Sequence, residues 1–262
     1  MADVEIGIIG GTGTYDPSAM LDREEISVDT KFGKPSDDLV IGTLFGRRIA
    51  FLPRHGRKHS LPPHKVPYRA NIAALKQLGV SRIIAPSAVG SLNPGLPLGS
   101  IVVPDQFVDF SKGRSCSFYD DEAVHVSMAN PFCNELAGTA ARAALSKKIK
   151  VNIKGTYVSI EGPRFSAKAE SIFYKDVLRG DIIGMTLVPE VILAREAEIC
   201  YLTLATVTDY DAWEHKPVSA EMVSEAMKIS SEQVRMLMGE LISNVPKDRG
   251  CECKHALADA RL

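Results

Sequence analysis

No apolar run in these 262 residues approaches the ~20 needed to cross a bilayer. Net charge is missing too. Against 32 acidic residues stand 31 basic ones, leaving −1, which removes the basic footprint of a nucleic-acid or anionic-membrane binder. The start, Met1-Ala2-Asp3-Val4-Glu5, has neither a basic region nor a cleavage site, so no signal peptide is expected. Cysteine is scarce and odd in number: Cys116, Cys133, Cys200, Cys251 and Cys253. Without a signal peptide that count argues for a cytoplasmic protein with mostly free thiols. Cys251-Glu252-Cys253 supplies only two ligands and no His–Cys cluster completes it, so no metal site is expected. There is no internal repeat, low-complexity stretch or Pro/Gly/Ser linker. Residues 1–245 are expected to form one domain, and 246–262 a charged, partly mobile tail.

What is present is enough apolar content, 45%, for a globular core, arranged in alternating runs. Val4–Ile9, Leu39–Leu44, Arg48–Leu52, Arg82–Ala85, Ser100–Val103, Ile149–Ser159, Ile182-Ile183 and Ile199–Thr208 predict strands. Tyr68–Leu78, ending at a Gly79 cap, predicts a helix. So do Asn130–Lys148, Ser166–Leu178, Pro189–Ala197 and Ser219–Ser243. Pro189 and Glu190 both suit a first helical turn. Strands alternating with helices give an α/β domain. In open α/β sheets ligands bind beyond the carboxyl ends of strands. Gly10–Gly13, Arg54-His55, Ser87-Ala88, Glu161–Phe165, Met185-Thr186 and Asp209–Asp211 are all expected there.

Each of these segments has a plain reading and a chemical one. Gly10-Gly11-Thr12-Gly13 is a tight turn, or an anion cradle of bare N–H groups with one hydroxyl. The dinucleotide pattern fails, because its third glycine would be Asp16. Residues 53–59, Pro-Arg-His-Gly-Arg-Lys-His, place five potential cations in seven positions. They form a solvated loop, or a strand end that offers the Arg54 fork to a phosphate. Glu161 and Arg164 read as an ion pair, and Phe165 as core or as a platform for a flat ring. Asp209 and Asp211 end a mostly apolar strand. If both enter one pocket, repulsion and desolvation raise one pKa. A protonated Asp then donates to a ring nitrogen while its neighbour accepts from an exocyclic amine, a pair suited to adenine N7 and N6.

Taken in order over nearly the whole chain, these segments resemble the S-methyl-5′-thioadenosine phosphorylases of the trimeric purine nucleoside phosphorylase superfamily. Phe32-Gly33-Lys34-Pro35-Ser36, Gly90-Ser91-Leu92, Asp105-Gln106-Phe107, Ser117-Phe118-Tyr119-Asp120 and Val188-Pro189-Glu190 belong to the same match. The resemblance implies a single-domain three-layer α/β/α fold around a mixed twisted sheet. It implies phosphate at Thr12, Arg54, His55, Ser87, Ala88 and Thr186. Met185 and Phe165 would line the ribose, and Ser166, Asp209 and Asp211 would address the purine, the two Asp being the catalytic pair. His59 and His125 would lie near the 5′ end, with His125 from a neighbouring subunit. Ala220 and Val223 would form part of a methylthio pocket. The implied reaction is phosphorolysis of methylthioadenosine in purine and methionine salvage, by a homotrimer or hexamer, with phosphate as co-substrate and no cofactor.

Gly184 departs from the Asn of animal relatives and resembles some enzymes that prefer 6-oxopurines, so a 6-oxopurine phosphorylase is the alternative. The two carboxylates favour the 6-amino base, because they would meet O6 lone pair to lone pair. The Cys251-x-Cys253 tail resembles archaeal members, and Cys133 and Cys200, which recur in such relatives, are the pair the resemblance suggests for a disulfide. A nicotinamide-dependent oxidoreductase and a non-catalytic nucleoside-binding module are the rivals from other classes. The missing third glycine opposes the first, and the full set of phosphate-side residues opposes the second.

Overall fold

The computed structural model describes residues 4–10, 19–214 and 218–261, and of Ile229 only the backbone. Eleven strands form one mixed sheet. Its backbone order is β2 (Leu21–Ile26), β3 (Leu39–Leu44), β4 (Arg47–Pro53), β1 (Ile6–Gly10), β5 (Arg82–Ser91), β10 (Ile182–Gly184), β9 (Thr156–Ile160) and β7 (Gln106–Phe110). β11 (Cys200–Asp209) branches from β5 and carries β6 (Ile101–Val103), which pairs with β8 (Val151–Ile153). β4, β1, β5 and β11 run parallel, whereas β10 meets β5 antiparallel.

Period-two alternation builds a core on each face. From β11, Tyr201, Ala205 and Val207 join one core, and Cys200, Leu202 and Leu204 join the other. From β4, Ala50 and Leu52 divide likewise from Ile49 and Phe51. The first core is capped by α1 (Tyr68–Gln77) and α4 (Leu187–Glu196), and the second by α2 (Asn134–Lys147) and α5 (Ala220–Asn244). The result is the three-layer α/β/α arrangement expected. α1 stops where expected: Gly79 takes φ +86°, a left-handed conformation that glycine adopts without steric cost.

Several sequence expectations need correction. Neither β2 nor β7 is foreseen from the residues. The single strand over 149–159 is two, β8 and β9, interrupted by Lys154-Gly155 and paired to different neighbours. The helix over 166–178 is a short α3 (Lys168–Ile172) that widens into a π-turn (Phe173–Val177). The tail does not project as a loose charged segment. Its Cys253 and Ala260 are buried, and Gly250 N–H donates to Glu135 Oε2 at 2.8 Å. All five cysteines are free, so Cys133 and Cys200 are not bridged. Instead they meet Cys251 and Cys253, a four-thiol cluster that spacing along the chain does not reveal. No helix among the described residues is long and apolar enough to cross a membrane.

Candidate active site

A cavity of about 550 Å³ opens where β4, β5, β9, β10, β11 and the start of α5 converge. That volume suits a small organic ligand, for which pockets run ~300–1,000 Å³. Arg54, His55, His59, Phe165, Met185, Thr186, Asp209, Asp211, Ala220 and Val223 line it, as do Ser87 and Ala88. Gly11, Thr12 and Gly13 fall outside the described residues. His125 is elsewhere, on an exposed segment, where its backbone N–H donates to the Ala260 carbonyl at 2.7 Å. Ser166 is not part of the lining but stands beside Asp211.

β5 organises the site. Ser87 and Ala88 sit inside this strand, which runs six residues past its expected end at Ala85. Ser87 Oγ lies 3.4 Å from Thr186 Oγ1, which follows β10. Arg54, just beyond β4, approaches the same place, its Nη1 donating to the Pro86 carbonyl at 3.3 Å. Three residues further along, Gly90 pairs with Asp209 across a register shift in β11. A Cβ at Gly90 would lie 2.7 Å from Asp209 Oδ1, so only glycine lets the carboxyl approach the strand this closely. Three strand residues span ~10 Å. One cation with two hydroxyls and one pair of carboxyls are thus separated by room for a sugar ring.

Arg54 is not a free fork. Its Nε and Nη2 each donate to Glu190 at 2.8 Å, and Tyr201 hydroxyl donates to the same carboxylate at 2.7 Å. Burial opposes the Arg54 charge, but the attraction and hydrogen bonds of Glu190 outweigh it and hold the pKa above its usual value. Only Nη1, with one long bond to Pro86, is left to face the cavity. Glu190, read from sequence as a helix-dipole partner, is instead the fully buried counter-ion.

Burial, then the neighbouring Arg54 charge, pushes the His55 pKa down to about 4. Its Nδ1 meets the Leu61 carbonyl at 2.8 Å. A carbonyl only accepts, so Nδ1 carries the proton of the neutral ring and Nε2 is an acceptor. His59, at φ +51°, packs against this ring at a 38° tilt with centroids 4.5 Å apart.

At the other end, burial raises the Asp209 pKa and the Asp211 charge adds to the rise. Hydrogen bonds from Asp211 N–H to Oδ1 and from Thr208 hydroxyl to Oδ2, each 2.9 Å, oppose it. Burial likewise raises Asp211, against the pull of Ser171, the Ala212 N–H and Ser166. Asp211 Oδ2 and the hydroxyls of Ser166 and Ser171 are nonetheless buried without a well-formed hydrogen bond. Such unpaired polar atoms are costly unless a ligand completes them.

The wall between the two ends is fixed by a residue that the sequence does not single out. Arg114 donates to the carbonyls of Glu161, Met185 and Val188 and to the Glu161 carboxylate. Glu161 therefore does not pair with Arg164, which binds Glu170 through two bonds of 2.7 Å. Ser60, Leu61, Pro62, Pro63, Thr208 and Ser224 also face the cavity unforeseen. Ser224 alone had a signal, being one helical turn beyond Ala220 and beside Val223.

Gly184 has a steric explanation. A Cβ there would lie 1.9 Å from the Tyr157 hydroxyl, which is buried beneath Ser87 and Thr186. Glycine at this position makes room for Tyr157, so it is not by itself a sign of base preference.

Residues 5–243 match the model of the phosphorylase superfamily. The S-methyl-5′-thioadenosine phosphorylase of Nitrosopumilus maritimus is 54% identical over 261 residues, covering 99% of each chain. A methylthioadenosine phosphorylase from Schistosoma mansoni, solved with adenine, superposes with TM-score 0.93 at 38% identity, covering 98% of this chain and 99% of that one. An S12T mutant of the adenosine/methylthioadenosine phosphorylase from the same organism, solved with methylthioadenosine, gives TM-score 0.92 at 38% identity and 98% coverage of each.

Proposed function

The chain belongs to the phosphorylase superfamily, and from that membership and the geometry of its cavity we propose that it catalyses phosphorolysis of S-methyl-5′-thioadenosine, giving adenine and 5-methylthioribose 1-phosphate. The observation that carries this reading is the single cavity joining Arg54, Ser87 and Thr186 to a buried Asp pair. Phosphate sits among Arg54 Nη1, Ser87, Ala88 and Thr186. A phosphate hydroxyl donates to His55 Nε2. A phosphate oxygen then attacks C1′ as the C1′–N9 bond breaks. The sugar gains positive charge, which the bound anion offsets, and the electron pair moves into the purine. Asp209, whose burial favours the protonated form, passes its proton to N7, and Asp211 Oδ2 accepts from the 6-amino group. Met185 and Phe165 flank the sugar, and Ala220 and Val223 give the 5′ methylthio group apolar contact. None of these steps calls on a cofactor.

The carboxylate pair supports the 6-amino base over the 6-oxopurine alternative. The test is release of free base from methylthioadenosine, adenosine, methylthioinosine and inosine, with and without phosphate. Methylthioadenosine should lead, with adenosine lower by up to ~10²-fold, because an apolar pocket rejects a hydroxyl only modestly. Preference for either inosine, or base release that ignores phosphate, would refute the reading.

The working unit is a homo-oligomer, at least a trimer. His125 is not among the residues lining the cavity, and Phe165 in the lining and Ile172, Phe173 and Val177 on α3 and its π-turn leave apolar surface exposed. A neighbouring copy covers that surface and brings its own His125 toward the 5′ end. Light scattering of active protein should give at least three times the 28.4 kDa chain mass. A fully active monomer would contradict this.

A further inference from the structure

The four-thiol cluster lies outside the cavity and takes no part in the reaction above. It is assembled from three segments distant in sequence. Cys133 is the N-cap of α2, and its Sγ accepts from Leu136 N–H at 3.5 Å. Cys200 opens β11, and Cys251 and Cys253 come from the tail. All four Sγ atoms lie within 4.8 Å of one another, and Cys200 and Cys251 approach to 3.3 Å. Cys133, Cys200 and Cys253 are buried in the core that α2 and α5 share. Cys251 is half-buried and leaves a route from solvent.

From this geometry we infer that Cys133, Cys200, Cys251 and Cys253 form a binding site for one soft divalent cation of the zinc class. Two independent disulfides require two short S···S separations, one in each pair. A tetrahedral ion requires all six to be short at once, which is what the cluster provides. With metal–sulfur bonds of ~2.3 Å the edges of such a tetrahedron are ~3.8 Å, within the spread observed, so the thiols need only settle around the ion. Binding forms four metal–sulfur bonds, and the four thiol protons leave to solvent. The site would carry net negative charge, and the N-terminal end of the fourteen-residue α2, which already donates to Cys133, is placed to stabilise it.

The site also has a mechanical consequence. The tail buries few apolar side chains of its own, Cys253 and Ala260 among them. Beyond the cluster it runs to Arg261, which bridges to Val124, and Ala260 holds His125. A metal at its root fixes a segment that hydrophobic burial alone holds weakly.

The test starts with full-length protein purified without reductant. Metal analysis after dialysis should give one zinc per chain. Exchange for Co²⁺ should give the intense thiolate-to-cobalt absorption and d–d bands of a tetrahedral tetrathiolate. Cys251→Ser and Cys253→Ser should each lose stoichiometric metal, whereas Cys116→Ser should keep it. Five thiols should titrate in denaturant with chelator and no reductant. Two results would overturn the proposal. One is a chain four hydrogens light with a single reactive thiol, meaning two disulfides. The other is reduced wild-type protein, folded by circular dichroism, that takes up neither Zn²⁺ nor Co²⁺.

Discussion

Replacing Asp209 by Asn removes the proton donor at the purine edge and alters little else. In the native site Oδ1 accepts from Asp211 N–H and Oδ2 from the Thr208 hydroxyl, each at 2.9 Å. The amide oxygen of the replacement must stay on the Asp211 N–H, which can only donate. The new NH₂ then faces Thr208 Oγ1. That hydroxyl turns its proton to the Val89 carbonyl, already 3.2 Å away, and accepts from the amide. The fold loses about the value of one hydrogen bond, ~1 kcal/mol. A general acid contributes ~10²–10⁴-fold, or ~2.7–5.4 kcal/mol at 1.36 kcal/mol per decade. Rate loss and stability loss are therefore separable. The same NH₂ can donate to O6, which the native carboxyl pair meets lone pair to lone pair, so preference should move toward 6-oxopurines. The assay is kcat/KM for methylthioadenosine and methylthioinosine at saturating phosphate, beside a thermal melt. An Asp209→Asn enzyme of near-native stability with an unchanged ratio of the two would refute the role of Asp209 at the purine edge and leave Asp211 as the sole reader of the base.

Glu190→Gln should lower stability by ~3–5 kcal/mol in urea melts, because it leaves the Arg54 charge buried without its partner, and should raise the KM for phosphate more than that for nucleoside; an unchanged phosphate KM would detach Arg54 from the anion. The depressed His55 pKa predicts a pH dependence. Above the unfolded value of ~6.5 both states are neutral and the contribution to stability is complete, and as pH falls from there toward about 4 the unfolded chain takes the proton first, so ~3 kcal/mol is lost. His55→Asn should flatten the unfolding free energy across that window, and an unaltered profile would count against the buried neutral ring. Gly184→Asn should cost ~1–3 kcal/mol by forcing Tyr157 aside, and should impair methylthioadenosine and methylthioinosine alike, whereas a selective change in base preference would restore Gly184 as a base selector.

How legible each part was depends on how local its cause is. β11 (Cys200–Asp209) stood out because its residues are mostly apolar up to Val207 and the two acids follow at once. The exposed edge strand β2, Leu-Asp-Arg-Glu-Glu-Ile, has no apolar alternation and carries no signal. Residues 149–159 read as one strand because both halves are β-branched or aromatic, although β8 and β9 go to different partners. Arg54, His55, Met185, Thr186 and Asp211 follow strand ends and carry recognisable chemistry, so they can be named from sequence. What supports them cannot. The Arg54–Glu190 pair, the Arg114 clasp and the four-cysteine cluster each join residues far apart in the chain, where spacing says nothing.

The central claim is that bound phosphate, and not water, takes the sugar from the purine. The most direct measurement follows ³¹P resonances and free adenine together while the protein acts on methylthioadenosine. The site predicts a sugar 1-phosphate signal that grows one for one with adenine, and no adenine when phosphate is left out. Adenine released at the same rate in phosphate-free buffer, with free methylthioribose as its partner, would contradict it.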